Sequence, residues 1–543
     1  MIFAAVVGTA TFLVWLFFLY IHFTHVVPQA GGSYTEGMVS TPRYINPILA
    51  QTSQADADLV RIIYDGLFTR GKDGALENRL AERYEVTDAG KKYTVYLRPG
   101  VRWHDGEDFT AEDVVYTIKT LQDPTFKSPL RSLWLGVEVS AVDQYTVEFI
   151  LKKEYFGFIE NLTIGILPRH IWQSIPSDTF LLSEFNLTPI GTGPYRFVES
   201  EKNANGNILS FQLEANPDYF LGRPYIENFA FYFYENQEAL LTAYNKKQVD
   251  GIYNIRPEDR SGIAARKGTN VTGMDFPRIF GIFWNITKSV PLADGNVREA
   301  LSYAVDRDAI VKNILFGDAV PAYGPILPFM AGYASSGNEP HFDRTKAEKI
   351  LEDGGWKKGS EGVREKNDKK LEFSLVVPDW PELVATGEEL KGQLAIIGVT
   401  VDVQVRPAAD VQQTTLKDRD YQAILFGQAA YLQSDPFSFW HSSQKGEGGL
   451  NFSLFENKEA DETLETLRTT TNNEGSQNEL YKKFQEIFYQ ENPALMLYSP
   501  KYLYVHKSDI KGLETSKINT PSGRLSNVTN WYINTKREWG DKK

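Results

Sequence analysis

The chain of 543 residues contains no cysteine. Thiolate metal sites, thiol nucleophiles and disulfides are therefore excluded. The lipid anchor that bacterial surface proteins build on an N-terminal cysteine is excluded with them. Histidine is scarce, at seven, and scattered as His22, His25, His104, His170, His341, His441 and His506. The sequence has no H-E-x-x-H, no G-x-S-x-G and no phosphate-cradling G-x-x-x-x-G-K-S/T. His104 stands beside Asp105, but the Asp105-Gly106 turn accounts for the acid, and a structural histidine is the simpler reading. A basic excess is also missing. The net charge is −13, which argues against nucleic acid as a partner, because phosphate binding needs a basic face. No catalytic group, cofactor or metal is expected.

What is present first is an apolar N-terminus. Residues 2–23 hold no Lys, Arg, Asp or Glu. About 20 apolar residues at 1.5 Å rise cross a bilayer core. Tyr20, His22 and His25 suit the interface at one end. A cleaved signal peptide is the rival reading. It calls for a basic n-region and a small-x-small cleavage site, and neither is seen. Residues 1–25 are thus expected to be an uncleaved transmembrane anchor. The Gly- and small-polar-rich stretch 26–40 reads as a tether.

Beyond it, strand and helix patterns alternate. Leu59, Ile62, Ile63 and Leu67 mark a short helix with one buried face. Tyr93–Leu97 reads as a strand, followed by the Asp105-Gly106 turn. Thr110 to Asp113 resembles a capping box that opens a helix over Val114, Val115, Ile118 and Leu121. Gly191-Thr192-Gly193-Pro194-Tyr195 then separates this unit from strands at 195–198, 209–213 and 229–233. The glycines fit a tight turn, a backbone site near a ligand or hinge, or both. One helix is expected over 297–316, another from Asp343 to Gly354. Strand 371–377, helix 382–397, strand 399–405, buried strand 421–426 and helix 479–490 follow. Such alternation argues for an α/β lobe. Length alone implies two or three lobes.

Aromatic residues form 13% of the chain, enough to furnish a cleft as well as cores. Two clusters stand out, Phe280 to Asn285 and Tyr431 to His441. Core packing explains either. The second lies in a Gln-, Ser- and Pro-rich stretch, which favours a loop facing a cleft.

Several of these segments resemble one family, the peptide/nickel-type (family 5) substrate-binding proteins of ABC transporters. The resemblance rests on Ala81 to Tyr84 with Tyr93–Leu97, Arg98 to Gly106 and Phe109 to Val115, on Gly191 to Tyr195, on Asn216 to Asp250, on Val297 to Leu301 with Val305 to Arg307, and on Ala347 to Trp356. It covers nearly all of the chain after residue 35. It implies an α/β, three-lobed periplasmic-binding-protein type II-like fold, here preceded by one transmembrane helix. Lobe I is built from 41–68, 190–285 and 501–543, lobe II is the insertion 69–189, and lobe III is 286–500. Two lobes close about a hinge. The implied role is capture of a peptide or peptide-like solute outside the cytoplasm by a monomer, for delivery to permease subunits in the membrane. Family position nominates Asn46, Thr192, Gly193, Phe283, Trp284, Asn285, Gly427, Gln428, Tyr431 and Trp440 as ligand-binding. Backbone at 428–431 is placed to pair with an extended peptide, and Trp440→Ala is expected to weaken binding without unfolding. One departure matters. Di- and oligopeptide members carry an acid in the loop before an acidic-Pro pair, to hold the peptide's free amine, and 428–434 has none. Only Asp435, before Pro436, remains. Longer or blocked peptides, or another solute such as a sugar, stay open. A membrane-tethered receptor without transport and a surface hydrolase are the rival functions.

Overall fold

The computed structural model describes residues 2–155, 157–335, 337–430, 435–470 and 474–539. Three main sheets organise them. A seven-stranded sheet, the first lobe, gathers Ser33–Val39, five strands between Tyr195 and Met274, and Tyr502–Lys507. A four-stranded antiparallel sheet, the second lobe, runs from Ala81–Thr87 to Thr146–Leu151. A six-stranded sheet, the third lobe, holds Arg278–Trp284, Ala319–Pro321, Glu372–Pro378, Thr400–Arg406, Ala423–Ala429 and Ala494–Pro500.

Local chemistry explains these elements. Lys92–Leu97 alternates buried and half-buried side chains, as a strand with one packed face does. Thr110 and Asp113 form the expected capping box, with the Thr110 N–H donating to Asp113 Oδ2 at 2.9 Å, and the helix Ala111–Gln122 follows. Arg278–Trp284 is apolar at nearly every position because both faces are covered. Ile282 and Trp284 enter one core, and Ile279 and Phe283 enter the other.

Three expectations need correction. The stretch 26–40 is not a tether. Thr24–Gln29 pairs with Asn534–Trp539, and Ser33–Val39 lies inside the seven-stranded sheet with Tyr34, Glu36 and Met38 fully buried. Its small residues serve close packing, since a Cβ on Gly37 would meet Leu240 at 2.5 Å. The helix expected over 297–316 is two, Gly295–Ala304 and Arg307–Asn313, because Asp306 caps the second by accepting from the Ala309 N–H. The first-to-third-lobe crossing falls near 275–277, not at 285/286, because Arg278–Trp284 pairs within the six-stranded sheet. The N-terminus forms the helix Ile2–Phe23; among the described residues no helix is long and apolar enough to cross a membrane. A membrane span is therefore not part of the fold as established.

The chain crosses between the first and third lobes twice, at Asp275–Pro277 and at Lys501. Lys501 Nζ and Asp275 Oδ1 lie 3.3 Å apart and tie the crossings together. Between the first and second lobes, Gly191 and Gly193 press onto the end of the helix Gln54–Ile63. A Cβ on Gly191 would fall 1.9 Å from the Ile63 carbonyl oxygen. The motif is thus a close backbone approach, which only glycine permits. His104 fastens it. Its Nδ1 accepts from the Gly191 N–H at 3.2 Å, which leaves Nε2–H to donate to the Gly193 carbonyl at 3.0 Å. His170, not His104, meets Asp105, at 2.8 Å.

Burial brings the His104 pKa down to about 4, with the bond to the Gly193 carbonyl opposing it. Between the ordinary value of 6.5 and 4, the unfolded chain holds a proton that the folded chain lacks. Stability from this residue is present above pH 6.5 and falls with pH, by up to ~3 kcal/mol at pH 4. His104→Gln should therefore lose less stability than the wild type between pH 7 and pH 4 in urea titrations; parallel curves would contradict a buried neutral imidazole. Trp440 is 1% exposed, stacks on Phe283 at 6.2 Å and meets Phe488 edge-on at 4.9 Å. Trp440→Ala should cost about 3–5 kcal/mol through the cavity it leaves, seen as a lowered denaturation midpoint. An unchanged midpoint would place the indole outside the core.

Candidate functional site

A cavity of about 1130 Å³ lies where the lobes face one another. Sites for ordinary small molecules run to ~300–1,000 Å³, so this one suits a larger solute. One wall comes from the first lobe, with Gln51 to Gln54, Arg61 and Asp65 at its N-terminal helix and Asn519 to Gly523 with Leu525 near the C-terminus. Trp134, Tyr155 and Ile159 to Asn161 belong to the second lobe. The third lobe supplies Ala429, Ala430, Asp435, Phe439, Arg468, Gln477 and Tyr481.

The first wall is held rigidly. Ser53 caps the helix Gln54–Ile63 by accepting from the Asp56 N–H. Its Asp58 meets Arg524 Nη2 at 2.5 Å, and Arg524 Nε donates to Glu36 Oε1 at 2.9 Å, all three side chains being fully buried. Burial raises the Glu36 carboxyl, against the pull of Arg524. Arg524 sits in the turn Pro521–Leu525, so helix and turn reach the cavity as one block.

Seven charged residues line the cavity: Arg61, Arg70, Arg79, Arg468, Asp65, Glu160 and Asp435. Arg70 pairs with Glu160, its Nε donating to Oε2 at 3.1 Å. Arg79 donates to the Tyr219 hydroxyl at 3.1 Å, and that hydroxyl donates to Asp65 at 3.2 Å. Burial raises the Asp65 carboxyl, with Arg79 opposing. Arg468 Nη2 reaches Asp435 Oδ2 at 2.6 Å, while its guanidinium lies 3.8 Å from the Phe437 ring centre. Asp435 Oδ1 also accepts from the Phe437 N–H at 3.2 Å. Asp435 is thus committed to an arginine and a turn.

Among the described residues, none of those nominated from sequence lines this cavity. Asn46 is buried, donating to Asn186 at 3.2 Å and accepting from the Ile48 N–H at 3.1 Å, and its neighbour Pro47 lines the cavity. Thr192 is buried and bonds the Asp65 N–H at 3.4 Å. The Gly193 N–H donates to the Ile63 carbonyl at 2.8 Å, and Pro194 reaches the surface. Phe283 packs against Trp440, and Trp284 packs against Phe373 on the other face of the strand. Asn285 donates to the Arg419 carbonyl at 2.9 Å. Gly427 lies flat on Phe280, and Gln428 is buried, while Ala429 and Ala430 line the cavity. Tyr431 lies outside the described residues. Next to Asn46, Gly193, Gln428 and Trp440, a neighbouring residue lines the cavity, whereas nothing near Phe283, Trp284 and Asn285 does. Sequence reasoning missed Arg61, Asp65, Tyr155 and Arg468. For Arg61 there was a signal, a cation interrupting an otherwise apolar helix end.

A family model described as "Bacterial extracellular solute-binding proteins, family 5 Middle" matches residues 75–449. The "Oligopeptide-binding protein AppA" of Bacillus subtilis (strain 168) is 30% identical over 522 residues, covering 93% of this chain and 92% of that protein. The solved structure of the oligopeptide-binding protein AppA from Bacillus subtilis in complex with a nonapeptide aligns with TM-score 0.69 and 26% identity, over 94% of this chain and 100% of that one. NikZ from Campylobacter jejuni in complex with Ni(L-His) aligns with TM-score 0.71 and 26% identity, over 92% and 99%. The matched residues take in most of the inserted lobe and of the third, while the helix Gln54–Ile63 and the turn Pro521–Leu525 of the first wall lie outside them. The chain belongs to the bacterial extracellular solute-binding proteins, family 5.

Proposed function

We propose that this chain is the solute-binding subunit of an ABC importer, and that it captures a peptide in the interlobe cavity without altering it. The observation that carries the reading is the cavity itself. Its walls belong to different sheets, and only two chain crossings join the first of these sheets to the third. A solute that touches both walls stabilises the closed state by the contacts it makes only there. Moving the population from 1:99 to 99:1 takes about 5.5 kcal/mol of differential affinity, within the ~8 kcal/mol of a micromolar ligand.

A peptide is favoured for two reasons. Relatives with this architecture are named for oligopeptides and dipeptides, and one was solved with a nonapeptide. The strand Ala423–Ala429 also pairs with Glu372–Pro378 only at Ala423 and Ile424, so its cavity end has an edge suited to an added strand. Because Arg468 occupies Asp435, the peptide's amine is not bound there. A blocked N-terminus is therefore tolerated.

The helix Ile2–Phe23 is the membrane anchor in this reading. Its 22 residues carry no acid and no base other than His22. Leu13, Trp15, Phe17 and Phe18 are more than half exposed. The connection to the first lobe is a stem: Thr24–Gln29 pairs along its whole length with Asn534–Trp539, Arg537 donates to the Ile21 and Thr24 carbonyls at 3.0 Å, and Tyr20 meets Trp539 at 5.9 Å. The lobes thus stand at a set height above the lipid.

In solution scattering, residues 30–543 should become more compact when mixed with a randomised nonapeptide pool. Free and N-acetylated pools should be retained within about threefold of each other, a difference too small for a lost buried ion pair. Unchanged dimensions with peptide demonstrably bound, or recovery of cleaved peptide, would overturn capture by closure. Carbonate-washed membranes should keep the full chain and release the form lacking residues 2–23; release of both would rule out the anchor.

A further inference from the structure

We propose that Arg61 holds an anionic group of the captured solute, so that the cavity selects peptides bearing a carboxylate. The proposal rests on the peptide reading above and adds the chemistry of the selected group.

Four guanidiniums and three carboxylates line the cavity. Three arginines are committed. Arg70 has Glu160, Arg468 has Asp435, and Arg79 lies in the Tyr219–Asp65 network. Arg61 is different. It faces the cavity, makes no ion pair among the described residues, and spends one donor on the Arg70 carbonyl at 2.9 Å. A guanidinium offers five N–H donors in a planar fork suited to a carboxylate. Four of them have no assigned protein acceptor here. Asp65 does not supply one, being taken by Tyr219 and Thr192 at 3.2 and 3.5 Å.

An unpaired charge set into a wall is expensive unless something compensates it. The helix C-terminus helps, since Arg61 lies in the last turn of Gln54–Ile63. That is the smaller term. Burial still brings the guanidinium down to about 10, with Arg79 adding repulsion and the Asp65 carboxylate opposing from a distance. It stays charged at neutral pH and has lost water that only an anion replaces well. The cavity therefore holds one positive charge in excess, within a chain of net charge −13. Capture by Arg61 also suits closure. The arginine is fixed to the first lobe, so a solute whose anion rests on it presents its other end to Ala429 and Ala430 on the third lobe.

The test uses residues 30–543 with three randomised nonapeptide pools, and bound peptide is read by mass spectrometry. The first pool has free C-termini, the second is C-terminally amidated, and the third is amidated and also lacks Asp and Glu. The wild type should retain the first at least ~10-fold over the third, the equivalent of ~1.4 kcal/mol. The second pool locates the source: parity with the first assigns the group to acidic side chains, and parity with the third assigns it to the C-terminus. Arg61→Gln should lose the preference while still binding the neutral pool, and Arg61→Lys should keep part of it. A wild type without preference, or an Arg61→Gln chain with the wild-type preference, would overturn the proposal. If Arg61→Gln fails to fold, the wild-type comparison with Arg61→Lys still decides. Failure of the wild type to retain any pool would instead bring down the peptide reading on which this rests.

Discussion

The architecture depends on one buried guanidinium. Arg524 lies 488 residues from Glu36 and 466 from Asp58, and it bonds both without any contact with water. Tyr504 adds a hydroxyl to the second oxygen of Glu36 at 2.7 Å, and Tyr34 meets Tyr504 at 2.7 Å. Two carboxylates and one cation in a dry interior are tolerable only when nearly every oxygen and N–H is matched. The matching fixes a strand, a helix and a C-terminal turn to one another. Those are the elements from which the first wall of the cavity hangs.

This dependence shows why the sequence was read well in some places and poorly in others. The capping box at Thr110 and Asp113 and the alternation along Lys92–Leu97 are local patterns, and local patterns survive without tertiary context. The stretch 26–40 has no such pattern. Glycine and small polar residues there looked like a tether, because the partners that make it a strand lie at 228–234, 251–253 and 534–539. The split at Asp306 was hidden for a related reason. The apolar spacing runs on through it, and only the capping carboxylate marks the break.

The cavity was harder to read than the fold. Aromatic residues drew attention as binding groups, but Phe283, Trp284 and Trp440 bury their rings in the third lobe. Apolar bulk in the sequence is a better indicator of core than of site. What faces the cavity is largely arginine, tyrosine and small residues at the ends of elements. Such side chains are indistinguishable from ordinary surface until the lobes are placed opposite one another. Asp435 is the instructive case. Its presence was visible in the sequence, whereas its commitment to Arg468, 33 positions later, was not.

The double crossing between lobes has a consequence for motion. At Asp275–Pro277 and Lys501 the two chain segments run side by side, flanked by paired strands on either side, Met274 opposite Tyr502 and Phe280 opposite Tyr498. A ribbon of two strands flexes easily across its flat face and resists bending edgewise or twisting, as a strip of card does. In the closure proposed above, swinging of the third lobe would thereby be confined to a single plane. Whatever enters the gap would be approached along one arc, its orientation on arrival chosen by the ribbon before any side chain touches it.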